Sequence, residues 1–251
     1  MRKLVQRLTT TFFLTILFYS LVSLGSIAYD YGMNRKVLAD ARDLYHVKGE
    51  RELTSLSEES NKNEPMSAFS ELLSINQDMI GWIHIGNTLI DYPVLQSSDN
   101  EYYLDRNYKE EETRAGSIFL DYRNDMTANP KHTILYGHRM KDASMFSGLT
   151  KFMEEDFFRD PPTMYFDTLF EQYDLEVFSA YQTSTDFYYI ETEFETDYVY
   201  NEFLEEIRSR TLFDSDVVVN VEDQIITLST CDYTLHPSEG RFVVHAKLVK
   251  R

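Results

Sequence analysis

The chain has 251 residues, of which 43% are hydrophobic and 26% charged, with only 9 Gly and 6 Pro. That composition excludes a disordered or collagen-like polymer and fits one sizeable packed domain with an appendage. The net charge is −18, from 24 Lys and Arg against 42 Asp and Glu, with no basic stripe; phosphate binding needs clustered cations, so nucleic acid is excluded as a partner.

Leu8 to Tyr29 is an uncharged run of 22 residues, preceded by Arg2, Lys3 and Arg7 and followed by Asp30. A helix of that length crosses a bilayer, and the basic flank is expected to stay cytoplasmic, so residues 1–29 read as a single-pass anchor. A cleaved signal peptide is the competing reading, because Ser26-Ile27-Ala28 supplies small residues for a cut after Ala28. The run is long for a signal peptide, which favours the anchor. Either way the remainder is exported.

Residues 30–80 read as a helical N-terminal extension. "NRKVLADARDLYHVKGERELTSL" mixes charges with apolar residues three and four apart. "PMSAFSELLSINQDMIG" has Pro65 near a helix start and Gly81 after its end. A polar linker is expected at 57–64, and the alternative for 30–60 is a weakly packed stalk. From Trp82 the periodicity changes to two. "WIHIGNTLIDYPVLQ" reads as strand, Gly-Asn turn, strand, and the pattern continues at 116–121, 132–137, 164–183, 223–230 and 241–249. About eight short strands point to a closed or nearly closed β-barrel over 81–251, mainly β with helical additions. Two helical inserts interrupt it, at 145–158 and 195–211, the second with Tyr198, Phe203, Leu204 and Ile207 on one face.

The only cysteine, Cys231, ends the apolar run "TLSTC". An exported chain that uses Cys for stability uses pairs, and a lone one is an inert buried thiol, an intermolecular bridge or a reactive nucleophile. A nucleophile needs a base or cation and a donor for the oxyanion. Among six histidines, His46 sits in the extension and is expected to be solvated, His84 and His245 lie within strands, His132 begins one, and His236 follows the cysteine in a loop. His138 differs, because it directly follows the strand "TILYG" at a rim that a substrate can reach. Arg241 opens the last strand ten residues after Cys231. Strands joined by such a loop are neighbours, which puts guanidinium and thiol at one end of the sheet. A solvated strand-end arginine is the bland alternative. Asp232 opposes thiolate formation unless its side chain points away. Metal ligands are scattered, so neither metal nor cofactor is expected.

"TLSTC", Arg241 in "GRFVVHAKLV", and "ILYGHRM" with its histidine 93 residues before the cysteine together resemble the sortases, in particular class B. "GWIHIGNTLIDYPVLQSSDNEYYLDRNY" and "GSIFLDYRND" extend the resemblance, which covers about residues 70–250. It implies an eight-stranded barrel with N-terminal helices and a long helix before the cysteine strand. It also implies a membrane-anchored cysteine transpeptidase of Gram-positive bacteria, needing no cofactor. Such enzymes cleave a Leu-Pro-x-Thr-Gly-like or Asn-Pro-x-Thr-x-like sorting signal of a surface protein after Thr. A thioacyl-enzyme forms and passes to an amine of a lipid II-like cell-wall precursor or to a pilin lysine. By that resemblance Cys231 is the nucleophile, His138 the general acid and base, and Arg241 the ligand of the oxyanion or substrate carbonyl. Asn100, Leu104, Tyr136 and Ser229 fall where groove residues contact the sorting peptide. Two rivals stay open: a plain cysteine peptidase, although papain-like enzymes have the cysteine before the histidine, and a non-enzymatic anchored binding module with an inert thiol.

Overall fold

The computed structural model describes residues 2–54, 65–232, 234 and 239–251; the expected linker at 57–64 and His236 lie outside them. Helix α1 (Arg2–Thr54) runs without a break from the apolar segment into the extension. Along its first part the apolar side chains, such as Phe12, Phe13 and Phe18, are exposed. Beyond Tyr29 the character changes: Val37, Leu38, Ala41 and Tyr45, three and four residues apart, form a buried stripe. This part of the extension is therefore not a weakly packed stalk. Tyr45 stacks on Trp82 with ring centroids 4.3 Å apart and donates to Asp167 at 2.5 Å. Asp91 gathers Arg42 at 2.9 Å, His46 at 3.0 Å and the Trp82 indole N–H at 2.7 Å. His46 is thus not simply solvated as the sequence suggested: one helical turn after Arg42, it reaches the same carboxylate.

After a short 3₁₀ turn and helix α2 (Ser70–Ile75) come β1 (Met79–Ile85), β2 (Asp91–Leu95), β3 (Ile118–Leu120) and β4 (His132–Tyr136). A 3₁₀ segment (Phe146–Met153) and helix α3 (Glu155–Arg159) lead to β5 (Met164–Thr168) and β6 (Gln172–Ser184). Helix α4 (Asp197–Ser209), β7 (Ile225–Cys231) and β8 (Gly240–Lys250) complete the chain. The eight strands close into a barrel in the order β1-β2-β3-β4-β7-β8-β6-β5, as the strand count and spacing led us to expect. Closure removes exposed sheet edges, and inward residues such as Ile83, Val94, Leu135, Phe166, Leu228 and Val244 fill the interior.

The first expected helical insert is realised mostly as 3₁₀ turns. Gly148 lies against Thr88, where a Cβ would come within 2.9 Å of its side chain, so the insert hugs the β1–β2 turn. Helix α4 starts at Thr196, whose side chain accepts from the Val199 N–H at 3.3 Å. Its buried face is Tyr200, Leu204 and Ile207. Tyr198 does not share it and is 70% exposed, because two residues of helical rotation carry it to the far side.

Beneath α4, on the outer face of the barrel, a buried chain of hydrogen bonds crosses four strands. His132 Nδ1 lies 2.5 Å from the Glu191 carbonyl and its Nε2 lies 2.5 Å from Thr227 Oγ1. Thr227 Oγ1 is 2.7 Å from His245 Nδ1, and His245 Nε2 is 2.8 Å from the Tyr181 hydroxyl. A carbonyl only accepts, so His132 carries its proton on Nδ1 and accepts from Thr227. Thr227 then accepts from His245, which accepts from Tyr181. One direction of donation satisfies every group, provided both rings are neutral. Burial enforces that state, pushing His132 down to about 4 and His245 well below the ordinary histidine range.

The pairings also order the barrel's two ends. Met164 is opposite Ile85, Ser184 opposite Gly240, and Cys231 opposite Arg241, while β4 runs parallel to β7 with Tyr136 beside Ser229. The β1–β2 turn, the end of β4, the end of β7 and the start of β8 therefore share one end.

Candidate active site

At that end, β7 delivers Cys231 and β8 delivers Arg241 as direct cross-strand partners. Opposed residues of an antiparallel pair have Cβ atoms about 5 Å apart, so the thiol and the root of the guanidinium arm are adjacent by register alone. Extending the Tyr136–Ser229 register by two residues brings His138 alongside Cys231, on strands about 4.8 Å apart. Between them Gly137 is required for space, because a Cβ there would sit 2.4 Å from Ile118 and 2.9 Å from the Phe146 ring. His138 Nε2 lies 2.7 Å from the Leu104 carbonyl, which can only accept. Nε2 therefore carries a proton, and Nδ1 is the nitrogen left for exchange.

A cavity of about 200 Å³ is lined by Cys231, His138 and Arg241 together with Asn100, Leu104, Phe119, Tyr136, Gly137, Ser229 and Thr230. All seven residues singled out in the sequence border this one space. The other described histidines do not. His132 and His245 are wholly buried in the chain under α4, and His46 and His84 lie at Asp91.

Two buried carboxylates brace the cavity. Asp121 accepts from Arg123 and the Tyr136 hydroxyl at 2.8 Å each, and from Asn100 Nδ2 at 3.1 Å. Its burial alone raises its pKa, but the hydrogen bonds from Arg123 and Tyr136 outweigh that and hold it below the usual carboxylate range. Two of the groove residues are thus fixed from behind by one charge. Asp232 also has no exposed surface; it accepts from Arg139 at 2.8 Å, Gln182 at 2.5 Å and Thr234 Oγ1 at 2.6 Å. Burial raises its pKa too, and is overcome by the Gln182 and Thr234 hydrogen bonds and the Arg139 charge. Its negative charge is consumed by these partners. Tyr189, buried beside the site, has its hydroxyl 2.8 Å from Ser229 Oγ and a hydrogen bond with Arg241. Sequence reasoning did not single out Asp121, Arg139 or Tyr189. Arg139 adjoins the histidine in "YGHRM" and Asp121 lies in "GSIFLDYRND", so both fall within motifs the sequence offered; nothing local marks Tyr189.

A closed barrel that brings the thiol, imidazole and guanidinium to one cavity describes a cysteine-dependent enzyme of acyl transfer. Comparison with known proteins is specific. The sortase domain matches residues 83–249. Sortase B of Listeria monocytogenes is 41% identical over 239 residues, covering 95% of this chain and 94% of that protein. Sortase B of Staphylococcus aureus is 36% identical over 238 residues, covering 95% and 97%. Among solved structures, a Bacillus anthracis sortase B in complex with AAEK1 superposes with a TM-score of 0.78 at 51% identity, covering 90% of this chain and all of that one. A Staphylococcus aureus sortase B–substrate complex gives 0.80 at 35% identity, covering 88% and 99%. The chain belongs to the sortase family, class B. It is a cysteine transpeptidase that cleaves a sorting signal and attaches surface proteins to the cell wall, membrane-anchored with its catalytic barrel outside the cell.

Proposed function

We propose that Cys231 is the nucleophile, His138 the general acid and base, and Arg241 the oxyanion ligand, acting on a sorting signal of the Leu-Pro-x-Thr-Gly or Asn-Pro-x-Thr-x type. The Cys231 thiolate attacks the Thr carbonyl carbon, and the electron pair moves to the carbonyl oxygen, where the Arg241 donor fork stabilises it. Collapse breaks the C–N bond as protonated His138 gives its Nδ1 proton to the departing amine, leaving a thioacyl-enzyme. An acceptor amine then attacks, His138 takes up its proton, and the C–S bond breaks. The observation that carries this reading is the direct cross-strand pairing of Cys231 with Arg241 at a cavity His138 also lines. The engagement of Asp232 by Arg139, Gln182 and Thr234 supports it, since a free carboxylate there would disfavour the thiolate.

Asn100, Tyr136 and Ser229 line the groove as polar contacts for the peptide, and Leu104, 40% exposed, offers an apolar pad. The basic residues before Leu8 keep the N-terminus cytoplasmic. The acceptor is an amine of a lipid-linked wall precursor or a pilin lysine; tethering to the same surface raises the effective concentration of the former without a new contact. The test is incubation of the detergent-solubilised chain with quenched fluorescent sorting peptides, with and without an amine, with products identified by mass. Cleavage after Thr and amine-ligated product are expected, both lost in Cys231→Ala. Hydrolysis alone, unaffected by amine, would instead define a plain peptidase.

A further inference from the structure

Within α1 the apolar run passes into the segment docked on the barrel without a break in the helix. The apolar run ends at Tyr29, and the next residue, Asp30, already accepts from the Arg114 backbone N–H of the barrel at 3.3 Å. Arg35 pairs with Asp142 at 3.1 Å, Asn34, Val37, Leu38 and Ala41 are buried, and Tyr45 stacks on Trp82. Gly32, the one residue here that could act as a hinge, is bracketed by docked residues on both sides. From Asp30 to Tyr45 a helix rises about 22 Å, comparable to the length of a barrel strand, so the docked segment spans the barrel's height.

The direction of docking is equally defined. Tyr31 and Asn34 share a cleft with Leu89, in the β1–β2 turn, and with Asp142, four residues after His138. Tyr45, further along, meets Trp82 and Asp167, towards the opposite end. The end of the barrel nearest the apolar run is therefore the end that carries the β1–β2 turn, Cys231 and Arg241. Leu89 is 53% exposed there, in the cleft that Tyr31 and Asn34 line, and Tyr29, 70% exposed, is of the aromatic type that anchors at a bilayer interface.

We propose that the catalytic end of the barrel faces the membrane, with the Leu89 turn resting in the lipid interface and the Cys231 cavity opening just above it. The inference rests on α1 being a retained anchor, and its test separates the two. Because Asp142, which shares the cleft with Leu89, is four residues from His138, their Cα atoms lie within about 14 Å, so the cavity stands within a few residues' reach of the lipid-facing rim. A peptide or acceptor held at the surface would reach the thiol without crossing the barrel.

The experiment reconstitutes the full chain into phosphatidylglycerol and phosphatidylcholine vesicles in which a rising fraction of the phosphatidylcholine is brominated along its acyl chains. Leu89→Trp reports on the catalytic end, and Phe170→Trp, at a 49% exposed position after β5, on the opposite end. Wild-type emission from Trp82, which is fully buried, gives the background. The expected result is a loss of Leu89→Trp emission that grows with the brominated fraction, with Phe170→Trp unchanged. Quenching of Phe170→Trp, or of neither variant, in protein that co-floats with the vesicles would overturn the orientation. Protein that fails to co-float would overturn the anchor and the orientation with it.

Discussion

Replacing Thr227 by Val tests the buried chain under α4. Valine fills the space of threonine, so packing is retained, but the hydroxyl that accepts from His245 Nδ1 and donates to His132 Nε2 is gone. Both ring atoms are left in a site with no exposed surface. Each unsatisfied buried group costs about 1–3 kcal/mol, so the expected loss is about 2–6 kcal/mol. Thr227→Ser keeps the hydroxyl and loses one methyl, at a cost of about 1 kcal/mol. The measurement is urea unfolding of the detergent-solubilised chain followed by Trp82 emission, comparing the two variants. The same chain predicts acid sensitivity. His132 is held at about 4 when folded against 6.5 ordinarily, so the unfolded state binds the extra proton between these values. Stability from this ring is complete above pH 6.5 and is lost as the pH falls towards 4, about 3 kcal/mol in all. If Val and Ser at 227 were equally stable, or if stability were flat across that window, the ordered chain of neutral histidines would be wrong.

Three further outcomes follow from the site. Arg241→Lys is expected to lower kcat by about tenfold or more, because a point ammonium cannot reproduce the planar fork; a near-normal kcat would remove the oxyanion role. Arg139→Ala leaves the Asp232 carboxylate short of its cation next to Cys231, so iodoacetamide should alkylate Cys231 more slowly in this variant than in the parent; an unchanged rate would mean that the charge is not felt at the thiol. Asp121→Asn removes the charge that anchors Asn100, Tyr136 and Arg123 and should destabilise by about 3–5 kcal/mol. In the fraction that folds, KM for peptide should rise more than kcat falls, and the reverse split would place Asp121 in the chemistry rather than in groove positioning.

The barrel was legible because short apolar runs rich in β-branched and aromatic residues recur between turn signals, as in "GSIFLD" and "HTILYG". The strand order and register were not legible: the parallel pairing of β4 with β7 joins segments 93 residues apart, and no local pattern states it. His138, Cys231 and Arg241 could be picked out because strand ends are marked in sequence and reactive residue types are few. Tyr189 could not, since it reaches Ser229 and Arg241 from the stretch between β6 and α4 and looks like any aromatic in an aromatic-rich chain. His46 and Tyr198 were misjudged for one reason: helical periodicity reports which residues share a face but not which face the rest of the protein will cover.

The reactive side chains and their supports differ in burial, and that difference explains how a small cavity can be both open and rigid. Cys231, His138 and Arg241 each keep part of their surface accessible, as a peptide substrate requires. The carboxylates behind them, Asp121 and Asp232, have none. A buried carboxylate that loses a partner is costly, so each holds its donors in place: Asp232 holds Arg139, and Asp121 holds Asn100 and Tyr136. The buried histidine chain adds a third constraint, tying the Glu191 carbonyl, two residues beyond Tyr189, to strands β4, β7, β8 and β6. Donors fixed this way need little reorganisation when a peptide enters the cavity. Hydrophobic packing would fix the backbone equally well, but it could not hold polar side chains at a solvent-exposed rim, and buried charges at this end of the barrel meet that need.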